Sequence, residues 1–211
     1  TNPPRIGNIE RMKTWGIDGF TAEEIMLIKA PPTYSPTLTA IISTENAQAN
    51  YLENKIICFA TRFKYKDGYY STVSSWSKYF FEPKAYNLDF ETFENLGMLN
   101  SFNSVNISFN TGLREVVAID LLFKFSNETN IYKVDTFIKE DEGWADDTIE
   151  TETIQTLEFN NSKVYGILPA DQYFRSFDNV PEIALAQSPI GNRVAFANYK
   201  EGKKKKKKNG N

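Results

Sequence analysis

Two stretches constrain this fold more than any others. In "SVNISFN", Val105, Ile107 and Phe109 alternate with Asn106 and Ser108. In "VVAIDLLFKF", Val117, Ile119, Leu121, Phe123 and Phe125 alternate with Ala118, Asp120, Leu122 and Lys124. A period of two sorts one set of side chains to each face of a pleated strand, which a helix of period 3.6 cannot do. The same pattern in "KIICFATRFKY" puts Ile57, Phe59, Phe63 and Tyr65 on one face and Arg62 and Lys64 on the other. "IYKVDTFI" places Tyr132, Val134 and Ile138 together. "LTAIIS", "SKYFFEP", "TIQTLEF", "SKVYG" and "NRVAFANY" read as further strands.

Turn chemistry separates these runs. Asp67-Gly68 supplies residues that tolerate positive φ, so the spacing predicts a type I′ hairpin returning through "YYSTVSS". Near the N-terminus, Thr21 with Glu24 three residues on forms a capping box. That helix must stop before Pro31, after about two turns, with Ile25 and Ile28 packing on a neighbour. Short antiparallel strands at this spacing predict a mainly β chain of fibronectin type III or immunoglobulin-like β-sandwich modules, with one short N-terminal helix.

The expected organisation is an N-terminal connector with its helix over 1–35, a first β module over 36–84 and a linker over 85–103 that carries a short helix from Asp89 to Leu96. A second β-sandwich module follows over 104–168, then an extended segment with one more strand over 169–202, and an unstructured lysine-rich tail over 203–211. The opening "TNPPRIGNIERMK" has no apolar signal core and no initiator Met, and reads as the start of a mature or excised chain.

Composition removes several kinds of chemistry. There is no histidine, hence no His-based catalytic triad and no histidine ligand for zinc. Cys58 is the one cysteine and cannot form an internal disulfide; within "KIICFATRF" it reads as a buried structural thiol. No apolar run approaches the roughly 18 residues of a membrane span, so no membrane insertion is expected. The formal charge of −3 hides the run Lys203 to Lys208; without those six lysines the body carries −9. An acidic body opposes a broad nucleic-acid-binding face, and the run lacks the interleaved aromatics that stack bases. A natural charged tail, an added tail and a loop cut short all fit it.

Candidate sites are few. The loop "KEDEGWADDTIE" gathers Glu140, Asp141, Glu142, Asp146, Asp147 and Glu150, and oxygen clusters suit Ca²⁺. Its spacing does not follow an EF-hand, so a solvated loop is the preferred reading and no metal or cofactor is expected. Carboxylates are scattered, and no pair is singled out for glycoside hydrolysis; no catalytic residue is assigned and no enzymatic activity is expected. Aromatics gather around the Asp67-Gly68 turn. Most belong to the core by alternation, leaving Tyr70 and Trp76, with Trp144 of the acidic loop, as candidate contact residues. Three glycosylation-type triplets occur at Asn106, Asn127 and Asn160; Asn106 sits mid-strand, which argues against its use.

The order of "NPPR", "GFTAEEIMLIKAPP", "RFKYKDGYYSTVSSWS", "VNISFNTGLREVVAIDLLFKFSNETNIYKVDTF" and "SFDNVPEIALAQSPIGNRVAFANYKEG" resembles the tail structural (muzzle) proteins of crAss-like Bacteroidales phages over nearly the whole chain. The resemblance implies fibronectin-like modules inserted in a longer polypeptide with β-propeller-like blades. "NPPR" would be the exit from the propeller and "NRVAFANYKEG" the first strand of a returning blade, which without its blade is expected to be disordered or paired with something else. It further implies a virion location in a phage tail. The partners would be other copies of the chain and tail or ring proteins, without sequence-specific nucleic acid. A receptor- or polysaccharide-binding module for host-surface glycan is the alternative.

Overall fold

A computed structural model describes residues 4, 5, 7, 13, 25–27, 29–44, 49–148, 151–173, 181, 183–191 and 193–200. The chain divides into two compact units, Pro31–Gln172 and a second made of Thr1–Ala30 with Tyr173–Asn211. The mainly β, antiparallel reading holds throughout.

The larger unit has two sheets. One runs β1 (Thr37–Ile41), β3 (Ser104–Asn110), β6 (Ile154–Phe159); the other runs β2 (Ile57–Tyr65), β4 (Val116–Phe125), β5 (Tyr132–Ile138), β7 (Gly166–Ile167). Their inner faces form one apolar interior. Val105, Ile107, Phe109 and Phe159 of the first sheet join Ile57, Phe59, Phe63, Tyr65, Ile119, Leu121, Phe123 and Phe125 of the second. Phe159 bridges the layers, its ring centroid 5.1 Å from that of Phe59 and 5.0 Å from that of Phe123. The division into modules at 36–84 and 104–168 is therefore corrected. β1 pairs with β3 and β2 with β4, so strands from both stretches share each sheet and build a single sandwich. The 36–84 stretch supplies one strand to each sheet and the 104–168 stretch the others, so neither sheet is complete within one stretch.

Two β-bulges move residues off the faces that strict alternation gives them. Lys64 pairs with Ala118 but Tyr65 with Val116, which skips Val117 and turns Val116 into the core in its place. On β5, Leu121 pairs with Asp135 but Leu122 with Lys133. Val134 is the extra residue, Phe137 packs on the core and Ile138 is exposed.

Three connectors differ from expectation. The segment after Gly68 is not a regular strand, and residues 85–103 hold a hairpin rather than a helix. The turn itself is not type I′, because only Gly68 has positive φ (+83°). Gly68 N donates to Tyr65 O and Tyr65 N to Tyr69 O, the bonding of a three-residue loop ending in a left-handed glycine. Of "SKVYG" only Gly166 is in a strand, the two-residue β7.

In the smaller unit Ile25 is helical and buried, but Met26 already pairs with Arg5 in an extended bridge, so the helical stretch ends well before Pro31. Thr21, Glu24 and Ile28, and with them the capping box, lie outside the described residues. Arg5 O also accepts from Gln187 Nε2 at 2.7 Å, tying the N-terminal segment to β8 (Ile183–Ile190). β8 pairs with β9 (Arg193–Lys200). The strand expected in "NRVAFANY" is thus present and paired: "IALAQSPI", expected to be merely extended, is its partner. The lysine run lies outside the described residues.

Candidate contact surface

The edge of the second sheet beyond β2 is closed by serines. Ser71, Ser74 and Ser77 each present their backbone N–H and hydroxyl to alternate residues of β2. The three N–H groups donate to Phe63, Thr61 and Phe59 O, each at 2.8 Å, and the three Oγ atoms accept from the N–H of the same residues, each at 3.0 Å. Each hydroxyl in turn donates to the carbonyl of the next residue, Thr72, Ser75 or Lys78. Phe80 ends the series with N–H to Ile57 O at 2.7 Å. The return chain thus advances three residues for every two of β2. Period-two pairing was the wrong expectation here; the signal in the sequence is Ser-x-x-Ser-x-x-Ser after the turn.

Aromatics among and beside the serines meet cations of β2 and β4. The Arg62 guanidinium lies 4.3 Å from the Tyr70 ring centroid and Lys64 Nζ 5.6 Å from it. Lys124 Nζ sits 4.6 Å from the Trp76 ring and 5.9 Å from Tyr79. Tyr70 and Trp76 are half-buried, each with one face engaged, and contacts of this kind contribute about 0.5–1 kcal/mol at exposed sites. Trp144 is placed elsewhere. It stacks on Phe137 at 5.7 Å and meets Phe109 edge-on at 5.8 Å, as part of the core. The three candidate aromatics do not form one site.

Beneath the strip lies a group that alternation did not reveal. Arg62 Nε donates to Asp120 Oδ2 at 2.7 Å with both side chains nearly sealed from solvent (5% and 1% exposed). Arg62 Nη2 also donates to Gln172 Oε1, and Thr136 Oγ1 donates to Asp120 Oδ1 at 2.6 Å. The partners are 58 residues apart in sequence and meet because β2 and β4 pair Arg62 with Asp120 in register. Further along β2, opposite Lys124, burial pushes the Cys58 thiol up, although Lys124 and a hydrogen bond with Tyr79 act the other way. That matches the reading of Cys58 as a structural thiol.

The acidic loop is organised by its own cation. Lys139 is buried and donates to the carbonyls of Gly112 and Leu113 and to Asp146. Asp147 accepts from Gly112 N, Thr111 Oγ1 and Thr153 N, which anchors the loop to the end of β3. Glu140, Asp141 and Glu142 are exposed on a one-turn helix, Lys139–Glu142, ended by left-handed Gly143. Among the described residues no three acidic or cysteine side chains gather as a metal set. Glu150 lies outside the described residues.

The stretch expected to be a linker is an ordered hairpin. Pro83 bridges Asn100 and Leu88 bridges Asn95, with Lys84 N to Leu99 O at 2.9 Å, Asp89 N to Glu94 O at 2.9 Å and Leu96 N to Asn87 O at 2.7 Å. Asn100 fixes the base: buried, it donates to Leu52 O and Lys55 O and accepts from Glu82 N. At the tip the Asp89 carboxylate accepts from Glu91 N and Thr92 Oγ1, bonds that hold its pKa below the usual value. Gly97 is required, since a Cβ there would stand 2.1 Å from Ala85 O. Little of the hairpin's apolar surface is covered: Tyr86, Phe90 and Phe93 are 73%, 80% and 79% exposed, and Leu96 and Met98 are exposed as well. Comparison with family models, with curated proteins and with solved structures finds no match to this chain.

Proposed function

We propose that the chain is a structural component of a phage tail, a rigid β-sandwich of the fibronectin type III kind whose surface makes contacts between subunits. The observation that carries this is the commitment of its buried charged groups to structure together with an ordered apolar projection. Arg62 is held by Asp120 and Lys139 by Asp146, while hydrogen bonds rather than apolar burial shape the hairpin at 83–100. Contiguous exposed apolar surface of this sort marks interaction sites. Pro31–Gln172 forms one unit while the segments before and after it form another, which supports the reading of a sandwich inserted into a larger scaffold.

A polysaccharide-binding role is less well supported. Sugars stack on open aromatic faces, and cations already cover one face of Tyr70 and of Trp76. Antibodies raised against residues 31–172 test the assignment by immunogold labelling of purified phage particles. Label at the tail is the expected result; particles lacking both label and peptides of this chain overturn it. On a glycan array, saturable binding lost in Trp76→Ala would favour recognition instead.

A further inference from the structure

We propose that the hairpin at 83–100 of one molecule docks on the cation-lined edge of a second copy, giving a head-to-tail contact. The idea deepens the scaffold reading and rests on it for its biological role, but the complementarity lies in the two surfaces themselves. Both belong to the Pro31–Gln172 unit.

The projecting surface carries Tyr86, Phe90, Phe93, Leu96 and Met98 exposed, with Asp89, Glu91 and Glu94 among them. Among the described residues no cation stands within ion-pair distance of these three acids. The receiving surface is the serine-closed edge. Lys64, Lys78 and Lys124 lie along it, and among the described residues no carboxylate is within ion-pair distance of any of the three. Tyr69 and Tyr79 are exposed there, and Trp76 is half-buried under Lys124. One surface is apolar with unmet negative charge; the other is aromatic with unmet positive charge. They stay apart within one molecule, as the exposure of both demonstrates, so they can meet only between molecules.

The occupant follows from charge. Outside the lysine run the chain carries −9, so most of a second copy repels the acidic tip. The Lys64–Lys78–Lys124 edge is an attractive exception. The serine ladder also bars ordinary strand addition, since its three-for-two spacing presents no regular row of backbone groups; the contact must be made by side chains. Because tip and edge are different surfaces, the contact is heterologous and repeats, closing into a ring or running on as a filament.

Sedimentation velocity on the full chain over a concentration series tests this. The expected result is reversible association that weakens with added salt. Phe93→Asp, at a left-handed position (φ 57°) that Asp tolerates, and Lys124→Glu each weaken the apparent Kd about tenfold or more, the scale of a lost hot spot. Lys78→Glu, at an exposed position, gives the same direction if Lys124→Glu disturbs folding. Mixing Phe93→Asp with Lys124→Glu restores dimers and nothing larger, since each pair keeps one intact tip and one intact edge. A wild-type chain that stays monomeric at its highest soluble concentration overturns the contact. So does a mixture that fails to dimerise, or association lost on deleting Lys203–Lys208. Those failures leave the particle-labelling result standing, and unlabelled particles leave the sedimentation result standing.

Discussion

Among the described residues, the Asp120 carboxylate is bonded by Arg62 and Thr136 alone. A buried pair that loses one partner leaves the other charge uncompensated, at a cost of about 3–5 kcal/mol, while replacing both by apolar groups of similar volume is often close to neutral. Asp120→Ala is therefore expected to destabilise by about that amount in urea unfolding, and Arg62→Met with Asp120→Leu by clearly less. Equal losses for the single and the double variant would refute a coupled pair. The sequence shows why such a pair escapes notice. Arg62 and Asp120 each occupy the polar side of an alternating run, where a solvated charge is the ordinary expectation. Only the register between two distant strands brings them together. Cys58, by contrast, was legible because its apolar neighbours along one strand are enough to bury it.

At the scale of elements, the strands were legible and their irregularities were not. Alternation located β2 to β6, because each buries one face on a common core. The bulges at Val117 and Val134 escaped, since an extra residue leaves local composition unchanged while reversing which side chains face inward. The hairpin at 83–100 escaped for another reason: its stability comes from Asp89, Asn95 and Asn100 side chains bonding to backbone, which hydrophobic period does not register. The serine ladder gives the sharpest test at this scale. Ser74→Ala leaves the buried N–H of Thr61 without its acceptor, which costs about 1–3 kcal/mol. Native-state hydrogen exchange should show faster exchange at Thr61, with Phe125 on the far strand little changed. Unaltered protection at Thr61 would mean that the hydroxyl is not its working partner. Length in the return segment is also quantised, because one added residue shifts every following hydroxyl out of phase while an added Ser-x-x triplet preserves it.

For the molecule as a whole, the core, the ladder and the hairpin all fall within Pro31–Gln172, whereas the smaller unit has a two-stranded β8–β9 ribbon whose residues are largely exposed. Isolated two-stranded ribbons are marginal in water, and sandwiches with a shared core are not. Residues 31–172 expressed alone are therefore expected to melt cooperatively with intact near-UV circular dichroism, and a peptide of residues 181–200 to show no stable strand signal. A non-cooperative melt for 31–172 would place part of its stability outside the sandwich. The mainly β class was readable from periodicity, but the single-sandwich organisation was not, because sequence order suggests two successive modules where the strands interleave. The same division of the chain has a consequence for heredity. A domain entered at Pro31 and left at Gln172 behaves as a cassette, which recombination can exchange only by two joins at once. Any replacement must offer ends the same distance apart, whatever its loops display.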